Sequence, residues 1–355
     1  MSHYSLALLG FGNVGQAFAR LLMRKQETIK AQYDITFSVT GIATGRHGMA
    51  IDAHGIDLAR ALELAVSHQS LKGLDATSDP MNALEFIRRC GADVLFENTP
   101  VNYESGQPAV NHLRLALELG MHAITANKGP VVHAYDELTR LAASHGRKFY
   151  FESAVMDGAP IFSLFREALP AAHLRAFRGV LNSTTNLILT RMESGEAFDQ
   201  AVAYAQSIGV AETDPSGDID GWDASVKVAA LTTVLMGVPL KPAEVERQGI
   251  RGITPQGIEH ARAQGKRWKL VCSAERQGSG VQARVAPEMV GIDSPLYGIN
   301  GTTSIVQFES DVLGLLSVIE ADPGPDTTAY GLLADFLNAA PGSRRKSRMP
   351  YKMRR

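Results

Sequence analysis

The segment Gly10-Phe11-Gly12-Asn13-Val14-Gly15 constrains this chain more than any other. It follows an apolar run, Tyr4 to Leu9, and opens a stretch that puts Ala17, Phe18, Leu21 and Leu22 on one helical face. Strand, glycine turn and helix, in that order, is the setting in which G-x-G-x-x-G holds a dinucleotide. Gly10 permits the tight turn, Gly12 lets a pyrophosphate approach the backbone, and Gly15 lets helix and strand pack closely. The start of the helix, with Asn13 and Val14 beside it, then meets the phosphates with unpaired N–H groups. An incidental glycine turn would not need this setting.

The next residues alternate. Strands are predicted at Phe37–Ala43, Asp93–Glu97 and His122–Thr125, and helices at Gly15–Lys25, Asp79–Arg89, Pro108–Leu119 and Tyr135–His145. Asp79 reads as an N-cap and Pro80 as the first helical residue. This alternation predicts an α/β fold with an N-terminal Rossmann-type, doubly wound parallel sheet over residues 1–150. The pattern then changes. Strands are predicted at Phe149–Glu152, Lys269–Ala274, Val281–Val285, Ser304–Glu309 and Leu315–Glu320. Helices are predicted at Ile161–Ala168, Thr185–Glu193, Phe198–Ser207 and Asp223–Met236. They mark an α+β domain over 151–325, for catalysis and dimerisation. A last helix within 326–338 is free to return to the first domain, and 339–355 is a basic tail, read as a solvated terminus.

Composition removes several classes. A hydrophobic fraction of 45% and a charged fraction of 20% are those of a soluble globular protein. A formal net charge of −2 gives no pull toward nucleic acid or membrane. No apolar run approaches the ~18 residues of a membrane helix. Met1 to Leu9 lacks the charged start of a signal peptide. Cys90 and Cys272 form neither a metal spacing nor a disulfide framework. A cytoplasmic protein is therefore expected.

The second strand ends at Ile42-Ala43-Thr44-Gly45-Arg46-His47. An NAD site usually places Asp or Glu there for the ribose 2′-hydroxyl. Arg46 suits a 2′-phosphate instead, so NADP is favoured over NAD unless Arg46 is only a solvated loop residue.

The chemistry-bearing stretch runs from Gly209 to Lys227. Glu212, Asp214, Asp218, Asp220 and Asp223 crowd a loop that enters an apolar helix. Asp223 and Lys227 are i, i+4 and share a helix face. As a surface pair they would contribute only about 0.3–0.5 kcal/mol. The helix beyond must be largely buried, however, and a charged pair at its mouth suits a zwitterion. Lys128, in Thr125-Ala126-Asn127-Lys128-Gly129-Pro130, follows a strand, where α/β sheets bind ligands. Taken alone it could equally be a turn lysine. Thr99 follows another strand.

Taken together, these motifs resemble homoserine dehydrogenases over roughly residues 4–338. The likeness runs through the glycine motif, Asn98-Thr99-Pro100-Val101-Asn102, Thr125 to Pro130, Glu152 to Ile161, Leu181-Asn182-Ser183-Thr184-Thr185-Asn186, Glu212 to Lys227 and Gly324 to Ala329. The resemblance implies an NAD(P)-dependent oxidoreductase that interconverts L-aspartate 4-semialdehyde and L-homoserine in threonine, methionine and isoleucine biosynthesis. It implies that Glu212 and Asp223 hold the substrate, that Asn182 and Thr184 belong to the substrate loop, and that Lys227 and Lys128 are the active-site lysines. Thr99, Lys128, Gly324 and Thr328 are implied cofactor contacts. Glu152, Val155, Asp157 and Ala159 match the family's monovalent-cation positions, a set of hard oxygens that suits Na⁺. A homodimer built through the second domain is implied as well.

Two departures stand out. Ser183 replaces the family's glycine, which would strain a backbone that needed φ > 0. The residues after Leu337 are few and polar, with no ACT regulatory domain, so threonine is expected to act only by competing with homoserine.

In the implied reaction, charge grows on the carbonyl oxygen during hydride transfer, and an ammonium stabilises it and supplies the proton. Lys227 is favoured as the nearer lysine, with Lys128 assisting. The acceptor must be neutral for homoserine oxidation, which favours alkaline pH. A phosphorylating semialdehyde dehydrogenase would need a nucleophilic cysteine, and neither Cys90 nor Cys272 is placed for it. A nucleotide sensor with a Rossmann fold would have no use for Lys128, Glu212, Asp223 and Lys227 together.

Overall fold

The computed structural model describes residues 1–74 and 82–340. The first sheet is built from β1 (Ser2–Leu9), β2 (Ile35–Ala43), β3 (Met49–Ile51), β4 (Val94–Glu97), β5 (His122–Thr125) and β6 (Phe149–Tyr150). Its helices are α1 (Asn13–Tyr33), α2 (Leu58–Val66), α3 (Ala83–Arg89), α4 (Ala109–Glu118), α5 (Lys128–His133) and α6 (Tyr135–Ser144). Strand order is β3-β2-β1-β4-β5-β6. All neighbours pair in parallel except β3, which runs antiparallel to β2 and which the sequence did not signal. The short α2 was missed too, although Asp57 caps it by accepting from Ala59 N and Arg60 N. Asn82 caps α3 through Glu85 N, while the predicted cap Asp79 and Pro80 lie outside the described residues. The basic tail from residue 341 onward also lies outside them.

The second sheet follows β7 (Leu174–Val180), α7 (Ser183–Glu193), α8 (Phe198–Ser207), α9 (Ser216–Ile219), α10 (Trp222–Leu235), β8 (Glu246–Arg247), α11 (Pro255–Ala263), β9 (Lys266–Gln277), β10 (Gly280–Gly291), β11 (Ser304–Ser310) and β12 (Gly314–Glu320). Its order is β12-β11-β7-β9-β10-β8. The predicted strand Phe149–Glu152 is shorter, because Glu152–Ala154 turns into a 3₁₀ helix. The predicted helix Ile161–Ala168 contains a π-helical turn at Leu164–Ala168.

The last helix, α12 (Pro325–Ala339), packs on α1 and the first sheet. Phe336 is the reason. Its ring meets Tyr4 at 5.7 Å, Phe96 at 6.2 Å and Phe37 at 6.3 Å, each nearly edge-on. Phe18 completes the cluster against Phe96 at 4.5 Å. Burying a ring of this size favours the docked helix by about 1.5–3 kcal/mol. The return of α12 sets Gly324 against Asp157 and Thr328 against Ser153, in the turn that follows β6.

Candidate active site

The glycine turn has the shape a dinucleotide requires. Gly10 has φ +99°, and a Cβ there would lie 2.4 Å from the Asn98 carbonyl oxygen. A Cβ on Gly15 would lie 2.4 Å from the Gly10 carbonyl oxygen, so helix and turn touch. A Cβ on Gly12 would meet nothing within 4 Å, and Gly12 makes no side-chain cap for α1. The N-terminus of α1, with Asn13 and Val14, thus opens onto space that a phosphate can enter. The thiols Cys90 and Cys272 are both buried, which pushes both pKa values up, Cys272 to about 12. Neither can act as a nucleophile at neutral pH.

Next to this turn, Glu97 at the end of β4 is buried. It accepts from the Thr99 hydroxyl and from Thr125 Oγ1 at 3.2 Å, and His112 Nδ1 lies 3.4 Å away. Asn127 Nδ2 donates to the Thr99 carbonyl at 3.1 Å, while Asn127 Oδ1 caps Gly129 N at 2.9 Å. This cap starts α5 at Lys128. The loop 99–106 is drawn against α5 because Gly106 and Gly129 approach so closely that a Cβ on Gly106 would lie 2.8 Å from the Gly129 carbonyl oxygen.

The Glu212–Lys227 segment arrives from the other side. Gly221 takes φ +80° and caps α10. Arg247 holds this turn by stacking over Trp222 at 3.8 Å and bonding the Asp220 carbonyl. Asp223 then sits in the first turn of a helix that is buried along most of its length. Only 8% exposed, it binds both lysines: Lys227 Nζ lies 2.9 Å from Oδ2 and Lys128 Nζ 3.2 Å from Oδ1. Lys227 Nζ also donates to the Leu181 carbonyl at 2.7 Å. Asn182 Nδ2 donates to Asp223 Oδ2 at 3.0 Å and to Asp218 Oδ1 at 2.6 Å, and Asn182 Oδ1 caps α7 through Thr185 N at 2.8 Å.

Burial opposes the charge of Asp223, but Lys227 and then Lys128 more than offset it and hold the carboxyl well below the usual range. Burial likewise opposes the charge of Lys128, and Asp223 reverses this, raising it above an ordinary lysine. Asp218 is raised, first by burial and then by Asp223. A cavity of about 1080 Å³ opens over these groups, and Glu212, Thr184 and Tyr103 also line it. Thr184 Oγ1 is held by the Val210 carbonyl at 3.1 Å. Lys128, Lys227 and Lys241 line one cavity with Glu104, Glu212, Asp214, Asp218 and Asp223, which suits a zwitterion with a polar reacting end.

Lys128, Asp223, Lys227, Asn182, Thr184 and Glu212 are therefore brought together. Ser183 is not among the residues with positive φ, so serine in place of glycine carries no backbone strain here. Asp218 was legible as an acid but not as the partner of Asn182. Tyr103 was missed. Its phenol is raised above the ordinary range by burial, then by Asp223 and Asp218. Arg46 stands apart, exposed on the turn after β2, where Thr44 Oγ1 accepts from His47 N at 2.7 Å.

Glu152, Val155, Asp157 and Ala159 share one turn. The Glu152 carboxylate accepts from Phe162 N at 2.7 Å and Ser163 N at 2.8 Å. Met156 and Asp157 take φ of 55° and 46°. Asp157 Oδ2 accepts from Gly324 N at 2.7 Å and Thr327 Oγ1 at 3.0 Å, which ties the turn to α12. Among the described residues, no group of three or more His, Cys, Asp or Glu forms a metal cluster.

Residues 10–152 match the family model described as homoserine dehydrogenase, NAD binding domain, and residues 160–337 match the model described as homoserine dehydrogenase. The chain is 36% identical to the NAD(+)-dependent homoserine dehydrogenase of Pseudomonas canavaninivorans, covering 98% of this chain and 99% of that one. The chain belongs to the homoserine dehydrogenase family. The Methanocaldococcus jannaschii homoserine dehydrogenase is likewise 36% identical, covering 94% of this chain and 97% of that protein. A hyperthermophilic archaeal homoserine dehydrogenase solved in complex with NADPH superposes with a TM-score of 0.80 at 29% identity, covering 95% of this chain and 97% of that one. As a homoserine dehydrogenase, this chain is an NAD(P)-dependent oxidoreductase with a small-molecule substrate. No helix among the described residues is long and apolar enough to cross a membrane.

Proposed function

We propose that this chain interconverts L-aspartate 4-semialdehyde and L-homoserine with Lys227 at the reacting oxygen. The observation that carries this reading is the pair Lys128 and Lys227 on one buried carboxylate, Asp223, at the floor of the cavity. A bound nicotinamide would supply or accept the hydride. Lys227 stabilises the charge on the carbonyl oxygen and exchanges its proton, and Lys128 assists from the opposite oxygen of Asp223. Glu212 and Asp223 hold the amino and hydroxyl ends, with Asn182 and Thr184 orienting the substrate. Gly10, Gly12, Asn13, Val14 and Gly15 receive the pyrophosphate, and Thr99, Lys128, Gly324 and Thr328 border the rest of the dinucleotide. Chromatographic detection of L-homoserine formed from L-aspartate 4-semialdehyde and NADPH tests the reading, and unchanged semialdehyde contradicts it.

Arg46 favours NADP, because it stands at the end of β2 where a carboxylate would otherwise receive the ribose. Arg46→Glu is expected to weaken NADP by roughly tenfold or more, the loss of a charge-assisted contact, with little effect on NAD. Equal losses in fluorescence titrations of both coenzymes would make Arg46 a loop residue only.

Carbonyl oxygens of Val155, Asp157 and Ala159, with Glu152, hold a sodium ion in this reading. The surroundings favour a cation. Buried Asp335 lies against Glu152 and has a carboxyl oxygen without a partner, and Glu320 Oε2 is likewise buried and unpartnered. Burial and Asp157 push Glu320 up to about 7. Replacing sodium by choline at constant ionic strength should lower the melting temperature, and no change would remove the ion from the account.

The dimer reading rests on β12. This edge strand leaves Leu315 61% and Ile319 59% exposed, next to Val312 and Leu313 in the preceding turn. A long apolar edge of this kind is covered in native proteins, here by a second copy across a two-fold axis. Light scattering at micromolar concentration should give a dimer mass, and Ile319→Glu should shift it toward the monomer. A monomeric wild type contradicts the reading.

A further inference from the structure

L-Homoserine has three polar ends, and the residues at the cavity floor take two of them. Glu212 and Asp223 hold the ammonium and the hydroxyl, and Lys128 and Lys227 are both bound to Asp223. The third end, the α-carboxylate, needs a donor of its own. Asn182 Nδ2 spends its donors on Asp218 and Asp223, and Thr184 Oγ1 gives its proton to the Val210 carbonyl. The cavity is already rich in carboxylates, so the missing partner must be a donor that adds no negative charge. It must also lie beside Glu212, because ammonium and carboxylate share one carbon.

Tyr103 meets both conditions. It lies in the loop between β4 and α4 and lines the cavity. Three contacts fix that loop. Asn102 Oδ1 accepts from Glu104 N and Ser105 N, both at 3.0 Å. A Cβ on Gly129 would lie 3.2 Å from the Asn102 carbonyl oxygen. His133 Nε2, at the far end of α5, donates to the Tyr103 carbonyl at 2.9 Å. The helix that starts at Lys128 therefore carries the backbone of Tyr103 as well. The ring packs on the apolar core, and Cε2, next to the carbon that bears the hydroxyl, would lie 4.0 Å from a Cβ on Gly217 in α9. The phenol thus reaches across to the acidic segment. It is half-buried, and its hydroxyl makes no hydrogen bond to any described residue. Burial first, then Asp223, Asp218 and Glu212, against the opposing charge of Lys227, raise the phenol above its ordinary range. The hydroxyl therefore remains a neutral donor at the alkaline pH that homoserine oxidation favours.

We propose that the Tyr103 hydroxyl donates a hydrogen bond to the α-carboxylate of the substrate, and so selects an α-amino acid over a simple amino alcohol. The assignment rests on the homoserine reading of this cavity. A site built to hydrogen-bond one group of its substrate rejects the analogue that lacks the group, because the site's own polar atom is then left unpaired. Lys241 and Ser183 also line the cavity. Lys241 is exposed, so water competes for its ammonium.

The test is Tyr103→Phe in the full chain, by steady-state homoserine oxidation with two competitors. L-2-Aminobutyrate keeps the ammonium and the carboxylate but lacks the hydroxyl, and 3-aminopropan-1-ol keeps the ammonium and the hydroxyl but lacks the carboxylate. KM for homoserine and the inhibition constant of L-2-aminobutyrate should rise together in the variant, roughly 10- to 100-fold, as loss of a hydrogen bond to a charged group does. The change in kcat should be much smaller, the mark of a contact made equally before and during reaction. The inhibition constant of 3-aminopropan-1-ol should be the same in both proteins. Its equal weakening in the variant would place Tyr103 on the ammonium or the hydroxyl and overturn the assignment. So would a KM raised by Lys241→Met or Ser183→Ala but not by Tyr103→Phe. The variant loses only a hydroxyl, so its melting temperature should match wild type, and a clear drop would mean that the hydroxyl is held within the protein and overturn the proposal. An active wild type with an unmoved KM in Tyr103→Phe overturns this assignment alone, whereas a wild type that does not oxidise homoserine overturns the reaction and the assignment with it.

Discussion

Lys227→Ala is expected to lower kcat for homoserine oxidation by on the order of 10²-fold or more, as loss of one preorganised charge stabiliser does. Nucleotide affinity should stay nearly unchanged. Lys227 meets Asp223 and the Leu181 carbonyl, both on the substrate side. Asp223 keeps Lys128 in the variant, so the buried carboxylate is not left alone. The fold should therefore survive, and steady-state kinetics beside a nucleotide titration separate the two effects. Activity within a few-fold of wild type would remove Lys227 from the reacting oxygen.

The second large effect is expected at Gly12. A methyl group there meets no protein atom within 4 Å, and φ is −80°, a value alanine adopts freely. Gly12→Ala should thus leave the melting temperature of the apoprotein almost unchanged. The same methyl occupies the space where the pyrophosphate must approach the backbone. Charge-assisted hydrogen bonds worth about 1.5–3 kcal/mol are at stake, so nucleotide affinity should drop roughly 10- to 100-fold. Gly10→Ala is a poorer probe, because φ +99° and a 2.4 Å approach to Asn98 would strain the fold itself. Tight NADP binding by Gly12→Ala would place the dinucleotide elsewhere.

The first sheet was legible because its signals are local. The glycine turn, the helical face of Ala17, Phe18, Leu21 and Leu22, and Gly120 and Gly146, which take φ of 79° and 63° just after α4 and α6, all lie within one or two turns of what they shape. The i, i+4 spacing of Asp223 and Lys227 was legible for the same reason. The central strand β7 was not. Its buried residues Leu174, Phe177 and Val180 recur every third position, Arg175 and Arg178 are exposed, and the pairing with β11 shifts register opposite Arg175, so no period of two shows. Helix α11 had a usable signal that was passed over: Thr254 caps it through Gly257 N at 3.1 Å, and Pro255 follows at the first position. The meeting of Lys128 with Asp223 depends on two helices far apart in the chain. Tyr103 enters the pocket only because Gly106 and Gly129 bring their loops together. No local pattern announces such contacts; the family resemblance put Lys128 and Asp223 on one list and did not include Tyr103.

The measurement that tests the account most directly is oxidation of L-homoserine by the purified chain, followed at the nicotinamide absorbance with NADP and NAD across neutral to alkaline pH. Homoserine must lose its hydroxyl proton to a neutral amine. Lys227 takes that proton, and its ammonium form is the one that Asp223 at 2.9 Å and the Leu181 carbonyl at 2.7 Å hold, so kcat/KM should climb from neutral to alkaline pH. The account predicts homoserine-dependent reduction of the coenzyme, faster with NADP, with this rising profile. No reduction at any pH with either coenzyme would contradict it.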